Sequence, residues 1–253
     1  MGSGVSVPSL DATGKVVIVT GGSRGLGRAM ALGFAEAGAD VVVASRKLDP
    51  CVAVADEVRA LGRRSLAVSC HVGDWDQCAT LIEAAVAEFG RIDVLVNNAG
   101  VGPVPPSLAG VTAELFDKTI AINLKGPLRL TGLAAEHMAA GGAVINMSSR
   151  AAMHPTRETV VYAAAKAGLN AMTAAAAREL GPRGIRVNAI VCGTFHTDGL
   201  HMALPTEALQ ARMASRISLG RIASPEEVVG TALYLASDAS SYLTGQLIVL
   251  DGG

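Results

Sequence analysis

Aromatic side chains are scarce in this chain: Phe, Tyr and Trp make up 3% of 253 residues, although half of all residues are hydrophobic. A core of stacked rings is therefore excluded. The interior must be assembled from Ala, Val, Leu and Ile, an inventory suited to close packing of helices on a sheet. Charge of one sign is also lacking. The formal net charge is −1, and no run of Lys or Arg marks a surface able to neutralise phosphates along DNA or RNA, so no nucleic-acid partner is expected. Long apolar runs are missing too. The longest uncharged stretch, 94–113, contains Asn97, Asn98, three prolines and three glycines, which reads as a strand and a loop rather than a membrane span. The four cysteines, Cys51, Cys70, Cys78 and Cys192, lack the paired spacing of a zinc site or a redox dithiol, so free thiols in a reducing cytoplasm and no metal centre are expected.

What is present is a regular alternation. Met1-Gly2-Ser3-Gly4-Val5-Ser6 fits a loose myristoylation pattern, but a segment so short and polar is expected as a flexible leader, residues 1–11. From Ala12 to Gly253, short β-branched runs alternate with longer Ala/Leu-rich segments at helical spacing, with no linker or repeat, which predicts one domain. Strands are expected at Lys15–Thr20, Asp40–Ser45, Ser65–Ser69, Ile92–Asn97, Ala143–Ser148, Ile185–Val191 and Gln246–Leu250. Runs such as Val16-Val17-Ile18-Val19 and Val41-Val42-Val43 are apolar on both faces. That is what a parallel sheet buried between two helix layers requires, so the fold class is α/β, doubly wound and Rossmann-type. In such a sheet a ligand crevice opens at the strand C-termini, where the strand order reverses.

Thr20-Gly21-Gly22-Ser23-Arg24-Gly25-Leu26-Gly27 follows the first strand directly and opens a helix. Glycines there permit a tight turn and let backbone N–H groups approach a pyrophosphate at the positive helix end. About twenty residues on, an NAD site would place Asp or Glu on the ribose 2′-hydroxyl, whereas this chain reads Ser45-Arg46-Lys47. Arg46 and Arg24 suit a 2′-phosphate through charge-assisted hydrogen bonds, and Ser45 adds a hydroxyl, so NADP(H) is expected over NAD(H).

With these residues, Asn97-Asn98-Ala99-Gly100, Tyr162-Ala163-Ala164-Ala165-Lys166 and the ending Leu243-Thr244-Gly245-Gln246…Asp251-Gly252-Gly253 make the chain resemble the classical short-chain dehydrogenases/reductases over Ala12 to Gly253. The resemblance implies a single seven-stranded Rossmann-type domain, no metal requirement and a homotetramer. By motif it assigns the catalytic roles to Asn123, Ser149, Tyr162 and Lys166. It places the cofactor against Gly21, Ser23, Arg24, Gly25, Leu26 and Gly27 of the glycine loop, and against Ser45 and Arg46. Further along it adds His71, Val72, Asn98, Ala99 and Gly100, then Tyr162 and Lys166, and lastly Gly193, Phe195 and Thr197. Three positions depart from the family pattern: His71 stands where an Asp is usual, Cys192 replaces the Pro before Gly193, and Ala152 stands where Gly is frequent.

The chemistry of that set follows from its groups. Reducing a carbonyl needs hydride on carbon and a proton on oxygen, and Tyr162 is the expected proton donor. Lys166 lies at i+4 on the same helix face, where its ammonium is expected to favour the phenolate by about 3 pKa units at an effective dielectric of about 20, before desolvation subtracts, and so to bring the phenol near working pH. Ser149 is expected to steady the substrate oxygen, and Asn123 to hold a water linking Lys166 to solvent. The substrate pocket is expected between the loop 150–161 and the segment 194–218, with Phe195, His196, His201, Met202 and Leu204. A small diffusible ketone, aldehyde or sugar-like molecule is favoured as substrate. A 3-oxoacyl-(acyl carrier protein) reductase would need a basic docking patch that the turn Met138–Gly142 does not offer. An NAD-dependent sugar or polyol dehydrogenase stays open, as does a nucleotide-binding sensor without catalysis.

Overall fold

A computed structural model describes residues 9–253, so most of the expected leader, residues 1–8, lies outside the described residues. Ala12 is already buried, with its N–H donating to Ala37 O. Seven strands form one parallel sheet: β1 (Val16–Thr20), β2 (Asp40–Ser45), β3 (Ser65–Ser69), β4 (Val94–Asn97), β5 (Ala143–Ser149), β6 (Arg186–Cys192) and β7 (Leu247–Leu250). Their order is β3-β2-β1-β4-β5-β6-β7. The chain runs outward from β1 to β3, returns to the far side of β1 at β4, and then runs outward again. The β1/β4 boundary is therefore the switch point where a doubly wound sheet opens a crevice.

Nine α-helices are assigned among the described residues: α1 (Gly25–Glu36), α2 (Leu48–Ala60), α3 (Trp75–Phe89), α4 (Ala113–Ile120), α5 (Gly126–Ala135), α6 (Val160–Leu180), α7 (Asp198–Ala203), α8 (Glu207–Ala214) and α9 (Val229–Ala236). Strand residues divide by parity between two cores. Val17, Val19, Val41, Val43, Val94 and Val96 face one side with Phe34, Val54 and Leu235. Ile18, Val42, Leu95 and Val144 face the other with Leu81, Ile82 and Leu130. Burial on both faces is why these strands read as unbroken apolar runs.

The expected strands are recovered with small shifts. β4 starts at Val94 rather than Ile92, and β6 runs one residue further, to Cys192. The extension follows from the residue there: Cys192 keeps pairing, opposite Ser149 of β5 and Leu250 of β7, where a Pro could not donate to a ladder. All four cysteines are free and buried. Cys70 and Cys78 share one core cluster, a proximity that their sequence spacing does not announce. No helix of the described residues is long and apolar enough to cross a membrane, and none of their His, Cys, Asp and Glu side chains form a cluster able to hold a metal ion.

Candidate active site

The glycine loop closes over the end of β1 and is stitched to β4. Thr20 Oγ1 donates to Val96 O at 3.1 Å and accepts from the N–H groups of Asn98 and Ala99. Asn98 Nδ2 donates back to Thr20 O and Gly21 O. A methyl group on Gly27 would stand 2.2 Å from Gly21 O and 2.5 Å from Asn98 Nδ2, so only glycine lets α1 begin this close to the loop. Gly21 has φ +63° and Gly25 φ +52°, a left-handed backbone that bulkier residues resist. The result is a side-chain-free cradle at a helix N-terminus, which fits a dinucleotide pyrophosphate. Leu26 and Ala99 pack partly buried against the two cores, so these two contribute wall and backbone rather than polar side chains. Ser23 lies in the turn between Gly22 and α1.

At the end of β2, Arg46 is exposed, and its guanidinium has no hydrogen-bond or ion-pair partner among the described residues. Ser45 Oγ instead faces Lys47 O at 3.3 Å and Cys51 Sγ at 3.0 Å. Arg24, at the N-cap of α1, reaches across the loop to Asp198. Past β3, the His71 N–H donates to Gln77 Oε1 at 2.9 Å, which fixes the turn into α3. Val72 is buried against Gly126, where a methyl would meet Val72 O at 2.2 Å.

The expected chemical groups converge at the C-terminal end of β5. Ser149 ends that strand, with its hydroxyl accepting from the Ala151 N–H at 3.2 Å. Helix α6 crosses it and carries Tyr162 and Lys166 one turn apart. Lys166 is 3% exposed, with Nζ donating to Met147 O at 2.7 Å and lying 5.8 Å from the Tyr162 ring centroid. The helix is held by a polar stripe that the sequence reading passed over. Ser148 Oγ donates to Asn170 Oδ1 at 2.6 Å, and Asn146 Nδ2 donates to Thr173 Oγ1 at 2.9 Å. Three successive residues of β5 thus each engage one residue of the same α6 face, and Asn97 Nδ2 joins the set through Asn146 Oδ1. The spacing 166, 170, 173 is the i, i+4, i+7 signature of one helix face, so the signal was in the sequence, masked by surrounding alanines.

Electrostatically the pair differs from the expectation drawn from the sequence. Burial dominates at Tyr162 and raises the phenol above its ordinary value, while the neighbouring Ser149 hydroxyl pulls it back down. Burial also lowers Lys166, to about 8. An ammonium bound to Met147 O and set against the ring does not offset that desolvation. Tyr162 is therefore a protonated phenol at neutral pH, the form a proton donor needs. Cys192 lies beside both groups with its thiol pushed up to about 12 by burial, against the pull of Lys166, so this departure from the family pattern puts a neutral group into the site.

Asn123 is held by more of the fold than its sequence context suggests. It sits in a π-helical turn, Ala121–Lys125, between α4 and α5. Its Nδ2 donates to Val101 O and Thr119 O, and Oδ1 accepts from the Val101 N–H. Both amide hydrogens are thus committed to protein, so a water linking to Lys166 would be held by an oxygen of Asn123. The side chain fixes the strand β4 exit, where a methyl on Gly100 would stand 3.0 Å from Asn123 Oδ1 and 3.7 Å from Lys166 Nζ. Gly100 thus lets the β4 exit pass in contact with Asn123 and Lys166 without a side chain between them.

Beyond β6, a methyl on Gly193 would meet Asp251 Cα at 2.6 Å, Phe195 is 6% exposed in the core, and Thr197 caps α7 by accepting from the Leu200 N–H. A groove of about 960 Å³ is only partly where the substrate pocket is expected. Loop 150–161 lines it through Ala151, Ala152, Pro155 and Arg157, but its other walls are the 104–108 loop and the Ala163, Ala164 and Ala167 face of α6. It lies next to Tyr162 rather than over it. Of the segment 194–218, Thr194 and Phe195 line a separate small cavity of about 70 Å³. His196 and His201 stack on one another, with ring centroids 6.1 Å apart, and the Met202 side chain lies outside the described residues.

Comparison with known proteins agrees with this geometry. A family model described as enoyl-(acyl carrier protein) reductase matches residues 21–253. The chain is 40% identical over 246 residues to an L-rhamnose 1-dehydrogenase (NAD(P)(+)) of Azotobacter vinelandii, covering 94% of this chain and 96% of that one. It is 39% identical over 242 residues to a 3-oxoacyl-(acyl carrier protein) reductase of Thermotoga maritima, covering 95% and 97%. A short-chain dehydrogenase from Burkholderia cenocepacia, solved in complex with NADP, superposes with a TM-score of 0.88 at 31% identity, covering 96% of this chain and 98% of that one. A glycine cradle at the switch point, a Tyr and Lys one turn apart beside it, and near full-length likeness together make this chain a member of the short-chain dehydrogenase/reductase family of NAD(P)-dependent oxidoreductases.

Proposed function

We propose that the chain is an NADP(H)-dependent reductase of a small carbonyl substrate, with Tyr162 as proton donor and Ser149 as the hydrogen-bonding partner of the substrate oxygen. The observation that carries this reading is the convergence of Ser149, Tyr162 and Lys166 at the C-terminal end of β5, next to the switch-point crevice. A bound nicotinamide supplies or accepts hydride there. The chain's own work is to fix the carbonyl oxygen between two hydroxyls, to release the phenolic proton to it, and to keep Lys166 charged behind the phenol. Arg46, without a side-chain partner among the described residues, supports the 2′-phosphate reading, since the end of β2 reads Ser45-Arg46-Lys47 with no carboxylate. The proposal extends to the family's homotetramer. Beyond the groove, Ala171, Ala174 and Ala175 leave an exposed small-residue face on α6, Leu128 and Phe116 are exposed on α5 and α4, and edge strand β7 exposes Leu247 and Val249.

One observation favours a second substrate class. The groove beside Tyr162 is mostly apolar, bounded by Val104, Pro106 and Leu108, which suits an acyl chain better than a sugar. A panel of ketones, aldehydes, sugars and acyl thioesters, assayed with NADPH and with NADH, separates these readings. Arg46→Asp should move the cofactor ratio toward NADH by at least tenfold, about 1.4 kcal/mol; an unmoved ratio refutes the NADP assignment.

A further inference from the structure

Arg24 and Asp198 form an ion pair, Nη1 to Oδ2, at 3.1 Å, with side chains 69% and 65% exposed. The two residues lie 174 positions apart and join the glycine loop to the first residue of α7. The junction is close at the backbone too, since a methyl on Gly25 would stand 3.4 Å from Thr197 Cγ2. Arg24 belongs to the glycine loop itself, and it already has an anionic partner. Arg46, across the mouth of the crevice, has none among the described residues.

We propose that Asp198 is a cofactor-selectivity residue: its carboxylate competes with a ribose 2′-phosphate for the Arg24 guanidinium, and so holds down affinity for the phosphorylated dinucleotide alone. The inference rests on the reading above, in which Arg24 and Arg46 receive that phosphate. A dianion arriving at Arg24 must displace a monoanion and sit near it, whereas a dinucleotide with a free 2′-hydroxyl gains little from Arg24 and loses nothing to Asp198. Asp198 acts through Arg24, so it is a positioning residue rather than a catalytic one. Because the pair is exposed, its effect is modest and salt-sensitive.

Dissociation constants for NADPH and NADH, read by nucleotide fluorescence on the intact protein, test this directly. Asp198→Asn should lower the NADPH constant by about three- to fivefold at low salt and leave the NADH constant within twofold. Asp198→Glu should restore the wild-type ratio. In an Arg24→Ala background, Asp198→Asn should do nothing, since the cycle isolates the coupling between the pair. Equal changes for both nucleotides, or the same gain without Arg24, would overturn the inference. Its failure is separable from that of the cofactor assignment. If the wild type prefers NADH while Asp198→Asn still favours NADPH, the NADP preference is wrong and the role of Asp198 stands. If the wild type prefers NADPH and the ratio does not move in Asp198→Asn, the role of Asp198 falls alone.

Discussion

At the residue scale the site turns on a buried ammonium. Lys166 titrates near 8 in the fold against an ordinary value of 10.5, so between these values the unfolded chain holds the extra proton. Stability contributed by this group therefore rises with pH from about 8 to about 10.5, and below 8 the whole cost of burying the charge is borne, about 3 kcal/mol. Lys166→Met should accordingly raise stability at pH 7 by about 2 kcal/mol, after allowing about 1 kcal/mol for the lost bond to Met147 O, while abolishing turnover. The gain should disappear by pH 10.5 in urea melts; a variant destabilised at pH 7 would contradict it. The same titration sets a rate: carbonyl reduction should fall as pH rises through about 8, where Lys166 loses its charge. A reduction rate flat from pH 7 to 10 would remove Lys166 from the mechanism.

At the scale of elements, α6 is placed by its polar stripe on β5. The i+4 spacing of Tyr162 and Lys166 was legible in the sequence, as was the glycine cradle after β1, because both depend on neighbours close in the chain. The sense of the Tyr162 shift was not, because burial against β5 is a property of the packed helix and outweighs a charge inferred from spacing. The π-turn at Asn123 was hidden for a similar reason: the residue reads as a polar break in an apolar helix, and only the position of Val101 shows what its amide holds. Asn146→Ala should remove one hydrogen bond each from Thr173 and Asn97, which keep Leu169 O and Thr131 Oγ1 as partners, costing about 2 kcal/mol of stability. Because α6 would also lose its register, kcat should fall more than the dinucleotide constant rises; an unchanged melting temperature would show that the stripe bears no load.

On the scale of the whole molecule, the doubly wound order was readable because strands buried on both faces leave unbroken Val and Ile runs. Contacts between distant segments were not. Arg24 with Asp198 and the 104–108 wall of the groove depend on how loops from different crossovers meet at one sheet edge. The small-residue α6 face and the β7 edge are exposed in the single chain, and the proposed homotetramer would cover them. Sedimentation should give a particle of four chain masses, and a monomer at micromolar concentration would refute the assembly.

The proton-donor role of Tyr162 is tested most directly by comparing wild type with Tyr162→Phe, following NADPH consumption on the carbonyl panel alongside NADPH binding. Loss of the phenolic proton should cut turnover by roughly a hundredfold or more, with the dissociation constant within about twofold. Turnover in Tyr162→Phe equal to wild type, or tight binding with no turnover in either protein on any carbonyl, would contradict it.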